Sequence, residues 1–473
     1  MTPANEVSLS KFTRLALYFL WTLAVSTPLT GANAQSDIWA HADSIAASIR
    51  LPAIPDRELP LECYGALGDG KTDCSAAFRR AIDTCAVRGG GTVEVPDGTF
   101  LTGPIRLRSN VNLHLSDGTV VIFDRDLRAY LPLVLTRFEG VEVMNYSPLI
   151  YAYEDSNFSV TGKGTLNGNA DDEHWWPWRG APEHGWKDGI PNQAEARKQL
   201  FDMGEQNVPP RERIFGEGKY LRPSFIEPYN CRNVLIRGLK IINSPMWEIH
   251  PVLCENVTVE DVHIDSHGPN NDGCNPESCR NVLISRCTFN TGDDCIAIKS
   301  GRNADGRRLN TPSENIIIRG CKFADGHGGV TIGSEMSGGV RNVYVEDCEM
   351  ESPTLYSALR IKSNAVRGGV VENIHLRNIR VGLVDRAVVD VDLFYEEGRN
   401  GKFLPLIRNV SIEGMTVETC KVALNLVGYD DAPLRDFTLK DCDFRNVTSG
   451  SKIEHVDGLQ VINVKMNGKE FVP

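Results

Sequence analysis

The chain has 473 residues, a formal net charge of −12, and 41% hydrophobic against 24% charged residues. Such a length buries a sizeable core in one large unit or several. The acidic balance argues against a general binder of nucleic acid or of an anionic membrane surface.

In chain order, the first element is a leader. Lys11 and Arg14 precede an apolar run from Leu15 to Val25, and Ala32-Asn33-Ala34 offers the small residues of a cleavage site. The run is shorter than the ~20 residues a membrane span needs, so residues 1–34 are expected to be a removed secretory signal. No later stretch qualifies as a span. The remaining chain, residues 35–473, is then an exported single domain, periplasmic or extracellular. Its charge is −13, because two basic residues and one acidic residue lie in the leader.

Residues 60–100 predict an N-terminal cap. Asp73 can cap a helix that places Phe78, Ala81, Ile82 and Cys85 on one face, and Gly89 to Gly91 end it. Such a helix can cover the open end of a repeat array, whose terminal unit must be covered. Residues 168–222 then break every pattern. This Trp-, Pro- and charge-rich stretch is predicted to be a long functional insertion.

From residue 233 onward one motif recurs. Asn233, Asn256, Asn281, Asn315, Asn342, Asn373, Asn409 and Asp436 each open a run of alternating apolar residues, a short polar break, and a second such run. The steps between them are 23, 25, 34, 27, 31, 36 and 27 residues. Period-2 alternation means strands, and units of this length mean a solenoid of parallel β-coils. Apolar spacing of two excludes helical repeats. The recurring Asn is expected to form a ladder at a turn, bonding backbone groups of the next coil.

Thirteen cysteines in an exported chain first suggest disulfides. The repeat reads them differently. Cys287, Cys321, Cys348 and Cys442 fall at one repeat position shared with Leu239, Val262, Ile379 and Met415, while Cys231, Cys254 and Cys279 share another. Stacked inward positions on coils ~4.8 Å apart suit free thiols packing as small hydrophobes.

Aligning the coils on Ser278, Ser300, Ser334 and Ser363 places Asp272 beside Asp294 and Asp293 beside His327. Stacked carboxylates repel and push one pKa upward, which yields a protonated acid next to ionised bases. Glycosidic cleavage uses that division of labour. Solvated turn carboxylates, or a calcium site, are the alternative reading of these acids. In the same alignment Arg360 falls in the column of Ala297 and Thr331, and Lys362 in that of Lys299 and Gly333. Arg and Lys on one strand face suit an anion held between them.

These motifs, Asn270-Asn271-Asp272, Gly292-Asp293-Asp294, Gly326-His327-Gly328 and Arg360-Ile361-Lys362, resemble in this order the polygalacturonase family of glycoside hydrolases. GDGKTD near the N-terminus resembles the wider pectin-lyase-like superfamily. The resemblance implies an all-β fold, a right-handed parallel β-helix, that hydrolyses α-1,4-galacturonosyl bonds of pectin with inversion and without a metal or other cofactor. It implies Asp293 as the general acid, Asp272 and Asp294 as activators of water, and His327 tuning the acid or touching substrate. Arg360 and Lys362 would grip the galacturonate carboxylate, with Asn270 and Lys299 also in the binding site. Inversion comes from the resemblance alone, since one-coil spacing is shorter than the ~6.5–9.5 Å of inverting pairs.

The insertion departs from the family's minimal pattern. Trp175, Trp176, Trp178 and Trp186 could wall off one end of a cleft and stack on a sugar, or simply pack the loop onto the solenoid. Resemblance to the bacterial and plant-like branch leans the expectation toward exo action. A rhamnogalacturonan hydrolase, a pectate-lyase-like enzyme and a carbohydrate-binding solenoid are the competing readings. The expected partner is a galacturonan polysaccharide, with no nucleic acid and no membrane. The sequence assigns no oligomeric state.

Overall fold

The computed structural model describes residues 31–473. The expected leader over 1–34 lies outside them, apart from its last four residues, which begin the helix Gly31–Ser48. One compact unit spans Ala42–Pro473, starting seven residues beyond the expected boundary. Among the described residues no helix is long and apolar enough to cross a membrane.

The main unit is a parallel solenoid. One sheet of fourteen strands runs the length of the molecule, with each strand hydrogen-bonded to its equivalent on the next coil. Its strands include Arg232–Arg237, Glu255–Glu260, Arg280–Ser285 and Ser313–Arg319. Val234, Val257, Val282 and Ile316 stack in register and are fully buried. Removing each such side chain from water contributes roughly 1.5–3 kcal/mol, so the column itself enforces register. A second face carries short strands such as His263–Ser266 and Thr288–Thr291. A third carries Ile226–Tyr229, Ile296–Ile298, Gly328–Ile332 and Ser357–Lys362. Toward the C-terminus these two faces fuse, because Arg380–Asp392 pairs with both Glu349–Met350 and Ser357–Lys362.

Every predicted repeat start sits at positive φ, from 55° to 59°. Asn and Asp tolerate this left-handed region better than other residues with a Cβ. The ladder forms, with a different partner from the expected one. Asn256 Nδ2 donates to Asn233 Oδ1 at 2.9 Å, Asn315 to Asn281 at 3.0 Å and Asn409 to Asn373 at 2.7 Å. Amide thus bonds amide, because pairing resumes on either side of each Asn and leaves the side chains of adjacent coils directly superposed.

The seven stacked cysteines are all free and buried. Their thiols take part in the stack, with the Cys231 N–H donating to Cys254 Sγ and the Cys254 N–H to Cys279 Sγ, both at 3.4 Å. At the N-terminus the helix Ser75–Val87 buries Phe78, Ala81, Ile82 and Cys85 against the first coil. The N-cap position falls on Cys74, which makes no side-chain cap, so Asp73 is not the cap expected: it stands one residue earlier and its carboxylate accepts from the N–H of the first helical residue, Ser75, at 2.8 Å.

Candidate active site

The site lies on the third face and the corner leading into it. Alternation along each strand decides what faces out. Ile296 and Ile298, Val330 and Ile332, and Leu359 and Ile361 point into the core, so the residues between and beyond them line the cleft. Backbone pairing confirms the coil alignment: Cys274 bridges Ile296, Ala297 pairs with Thr331, and Thr331 with Arg360. Asp272 and Asp294 each stand two residues before an equivalent strand position, and Asp293 lies one coil from His327.

The cleft, about 210 Å³, is lined by all eight residues singled out from the sequence: Asn270, Asp272, Asp293, Asp294, Lys299, His327, Arg360 and Lys362. Carboxylate oxygens of Asp272, Asp293 and Asp294 lie within 4.8 Å of one another. Asp293 is the most open, with its side chain 22% exposed. Asp272 and Asp294 are buried.

His327 Nδ1 sits 3.1 Å from Asp293 Oδ1, and the His327 N–H donates to the Asp293 carbonyl at 3.0 Å. The imidazole stacks on Tyr356, with ring centres 4.6 Å apart. Lys362 Nζ donates to Asp294 Oδ2 at 2.7 Å. Asp294 Oδ1 is buried and has no protein partner. Glycine is required at 328, since a Cβ there would come 2.9 Å from that oxygen and 2.2 Å from Thr331 Oγ1.

Charge is divided unevenly among the three acids. Burial, and then the neighbouring Asp293, hold the Asp272 carboxyl well above the usual carboxylate range. Burial also opposes ionisation of Asp293, but the hydrogen bond and charge of His327 outweigh it and hold Asp293 below that range. One raised pKa was expected, and it falls on Asp272, because Asp293 has the stronger partners. Asp272 has only Asn275 Nδ2 at 2.9 Å and Lys299 Nζ at 3.8 Å. Two ammonium groups thus already neutralise the trio. Three carboxylates this close could otherwise suit a divalent cation, but Lys299 and Lys362 make this a poor donor set for one.

Arg360 and Lys362 share a face as predicted but do not form a bare pair. Lys362 serves Asp294, and Arg360 Nε is 3.5 Å from Asp390 without a hydrogen bond. Tyr395 lies under both cations, 5.9 Å from the guanidinium and 5.6 Å from the ammonium. Lys299 Nζ lies 4.7 Å over Trp247 and donates to Glu335 at 3.0 Å. Glu335 in turn meets Arg302 at 3.1 Å.

Sequence reasoning missed Trp247, Arg302, Glu335 and Tyr395. The first three stand at or just beyond the strand positions that hold Asp272 and Lys299, and extending the coil alignment by a few residues would have found them. The four tryptophans of the insertion are not among the cleft-lining residues. Trp175 packs on Tyr130 and Trp178, Trp178 on Tyr220, the Trp176 N–H bonds the Ser244 carbonyl, and that of Trp186 bonds Ile190. They fasten the loop. The insertion reaches the cleft instead through Arg179 and Arg197. Arg197, on the helix Ala194–Glu205, clasps Glu139 at 2.9 and 2.8 Å, and Phe201 lies between the guanidiniums of Arg197 and Arg302.

Residues 215–466 match the model of glycosyl hydrolases family 28. The chain belongs to this family. Relatives within it share modest identity: a probable polygalacturonase of Vitis vinifera is 27% identical over 82% of this chain and 74% of its own. An exo-poly-alpha-D-galacturonosidase of Dickeya chrysanthemi is 26% identical over 75% of this chain and 60% of its own. Among solved structures, a hyperthermoactive exopolygalacturonase from Thermotoga maritima superposes with a TM-score of 0.88 at 47% identity, covering 92% of this chain and 97% of that one. The family match spans all four motifs, so the parallel β-helix and the glycoside-hydrolase reading stand together.

Proposed function

We propose that the protein is an exported exo-acting polygalacturonase that hydrolyses α-1,4-galacturonosidic bonds with inversion. The observation that carries this is the cluster Asp272, Asp293 and Asp294 in a cleft that also holds Arg360 and Lys362. Carboxylates supply acid and base, and the cations recognise a uronate. Exo action is supported by the insertion, which brings Arg179 and Arg197 into the lining of the cleft, and by the named activity of the Thermotoga relative.

The proton for the leaving oxygen resides on the Asp293–His327 pair, which titrates as a unit. Within the pair the proton rests on His327, since Asp293 is held below the carboxylate range, and it passes across their hydrogen bond to Asp293, which hands it to the leaving oxygen. The free oxygen of Asp294 accepts a proton from the attacking water, and Asp272 beside it positions that water. Inversion requires the water to approach the ring from the face opposite Asp293.

The test is product analysis on polygalacturonate. Galacturonate monomer or dimer from the first minutes supports exo hydrolysis, with the released anomer read by NMR for inversion. A ladder of oligomers would overturn exo action. An unsaturated product absorbing in the ultraviolet would mean elimination and overturn hydrolysis.

A further inference from the structure

The cationic pair of the cleft has a counterpart at the N-terminal end of the same face. Backbone pairing carries the inward column of Ile105 through Ile150, Ile226, Ile249 and three more coils to Leu359, seven steps in all. Arg106 follows Ile105 just as Arg360 follows Leu359, so the two guanidiniums stand in one outward column. Pairing carries past Arg106, with the Leu107 N–H donating to the Tyr151 carbonyl at 2.8 Å. Arg108 therefore falls in the column that runs through Tyr153, Tyr229 and Lys299 to Lys362. Arg106-Leu107-Arg108 repeats the pattern of Arg360-Ile361-Lys362 at a distance of roughly 34 Å, counting ~4.8 Å per step.

The two places are not one continuous cleft. The hairpin of Val134–Phe138 and Val141–Asn145 lies across the middle of both columns, where Arg137 pairs with Glu277 at 3.0 Å and Thr136 donates to Glu227. On its N-terminal side is a second cavity, about 560 Å³ against about 210 Å³ for the catalytic cleft. Arg79, Arg106 and Arg108 line it.

The acids that share this cavity do not use up its cations. Asp73, the last residue of the GDGKTD segment, is occupied by the Ser75 N–H, and Asp83 meets Arg108 at 3.3 Å with both side chains close to half exposed. Water screens a pair of that kind. Arg79 and Arg106 are exposed and have no ion-pair partner among the described residues. Leu131 and Pro132 are exposed beside them. Free guanidiniums next to apolar ground suit a chain of acidic sugars, whose carboxylates take charge-assisted bonds while the C–H faces of the rings pack.

We propose that Arg79, Arg106 and Arg108 form an ancillary binding site for a galacturonan chain, outside the catalytic cleft and separated from it by the hairpin. It takes no part in bond cleavage. It holds a polymer strand against the enzyme and so raises the concentration of chain ends at the cleft. Only a polymer gains, because a dimer bound here is not linked to one in the cleft. This rests on the polygalacturonase reading and goes beyond it.

The test compares the double variant Arg79→Gln/Arg106→Gln with wild type on polygalacturonate and on digalacturonate. Loss of two exposed charge contacts predicts a fall of roughly threefold or more in kcat/KM on the polymer at low ionic strength, carried by KM, with the dimer within about twofold of wild type. Equal losses on both substrates, or none on the polymer, would overturn the site. Binding is read without turnover by gel retardation in polygalacturonate in the Asp293→Asn background, where the double variant should be retarded less. An equal weakening in a gel of dextran sulfate would mean a general polyanion surface and overturn the assignment to uronates. A wild type that turns over neither substrate would sink the functional reading, whereas unweakened retardation would sink the ancillary site alone.

Discussion

Asp294 gives one carboxylate oxygen to Lys362 at 2.7 Å and leaves the other, buried in the cleft, with no protein partner. An unpartnered buried acceptor next to two further acids is placed to receive a proton from water. Asp294→Asn keeps the shape and loses the base. Its kcat on polygalacturonate should fall roughly 10²–10⁴-fold with KM within a few-fold, measured by release of reducing ends. Because Lys362 then loses its counter-charge, Tm should fall as well. A rise in KM at unchanged kcat would contradict the assigned role.

The Asp293–His327 pair sets a pH window. Burial lowers the His327 pKa, but the hydrogen bond and charge of Asp293 raise it more, leaving it above 6.5. The stabilisation this provides is complete below 6.5 and lost as pH rises through the folded value. Asp293, held below its ordinary 3.8, contributes stability above that pH and loses it as pH falls. The Tm deficit of His327→Gln should therefore be largest between these two limits and shrink on either side. The alkaline limb of kcat/KM should also disappear in this variant. A Tm deficit that does not change with pH would rule the pairing out.

Gly328 is held to a hydrogen side chain by its neighbours. A methyl group there would meet Thr331 Oγ1 and the free Asp294 oxygen, so Gly328→Ala should displace the base. Misplacement of about 1 Å can lower rate on the order of 10²-fold. Steady-state kinetics should show this loss in kcat. A variant with wild-type kcat would mean that the Asp294 oxygen is not used.

The amide ladder can be tested away from the site. Asn315 has φ of 59° and donates to Asn281 while accepting from Asn342. Asn315→Gly loses the amide bonds, and Asn315→Ala loses them and adds left-handed strain of roughly 1–2 kcal/mol. Unfolding in urea should rank wild type above Gly and Gly above Ala. Equal values for the two variants would show that the positive φ contributes nothing.

The solenoid was legible because its signal is local and repeated: alternate apolar residues, with an Asn at each start, fix strand, face and register together. The convergence of Asp272, Asp293, Asp294 and His327 followed from counting, since coils stack one above the next. What counting could not reach was partner choice. That His327 pairs with Asp293 while Lys362 pairs with Asp294 depends on side-chain reach, and this placed the raised pKa on Asp272. The insertion was least legible. Its tryptophans suggested sugar stacking, but aromatic rings also fasten loops, and only the position of Arg179 and Arg197 shows which residues reach the cleft.

The amide ladder also separates the register of the coils from the length of the excursions between them. It fixes where each coil begins, while nothing fixes how far the chain wanders after leaving the third face. The 34-residue step accommodates the helix Asn303–Leu309, and the 36-residue step accommodates residues 393–405, yet pairing resumes in register after both. New sequence can therefore enter at that corner without moving the three acids relative to one another. Exchanging those excursions between homologues should retarget the enzyme to differently decorated polymers while its hydrolytic chemistry stays the same.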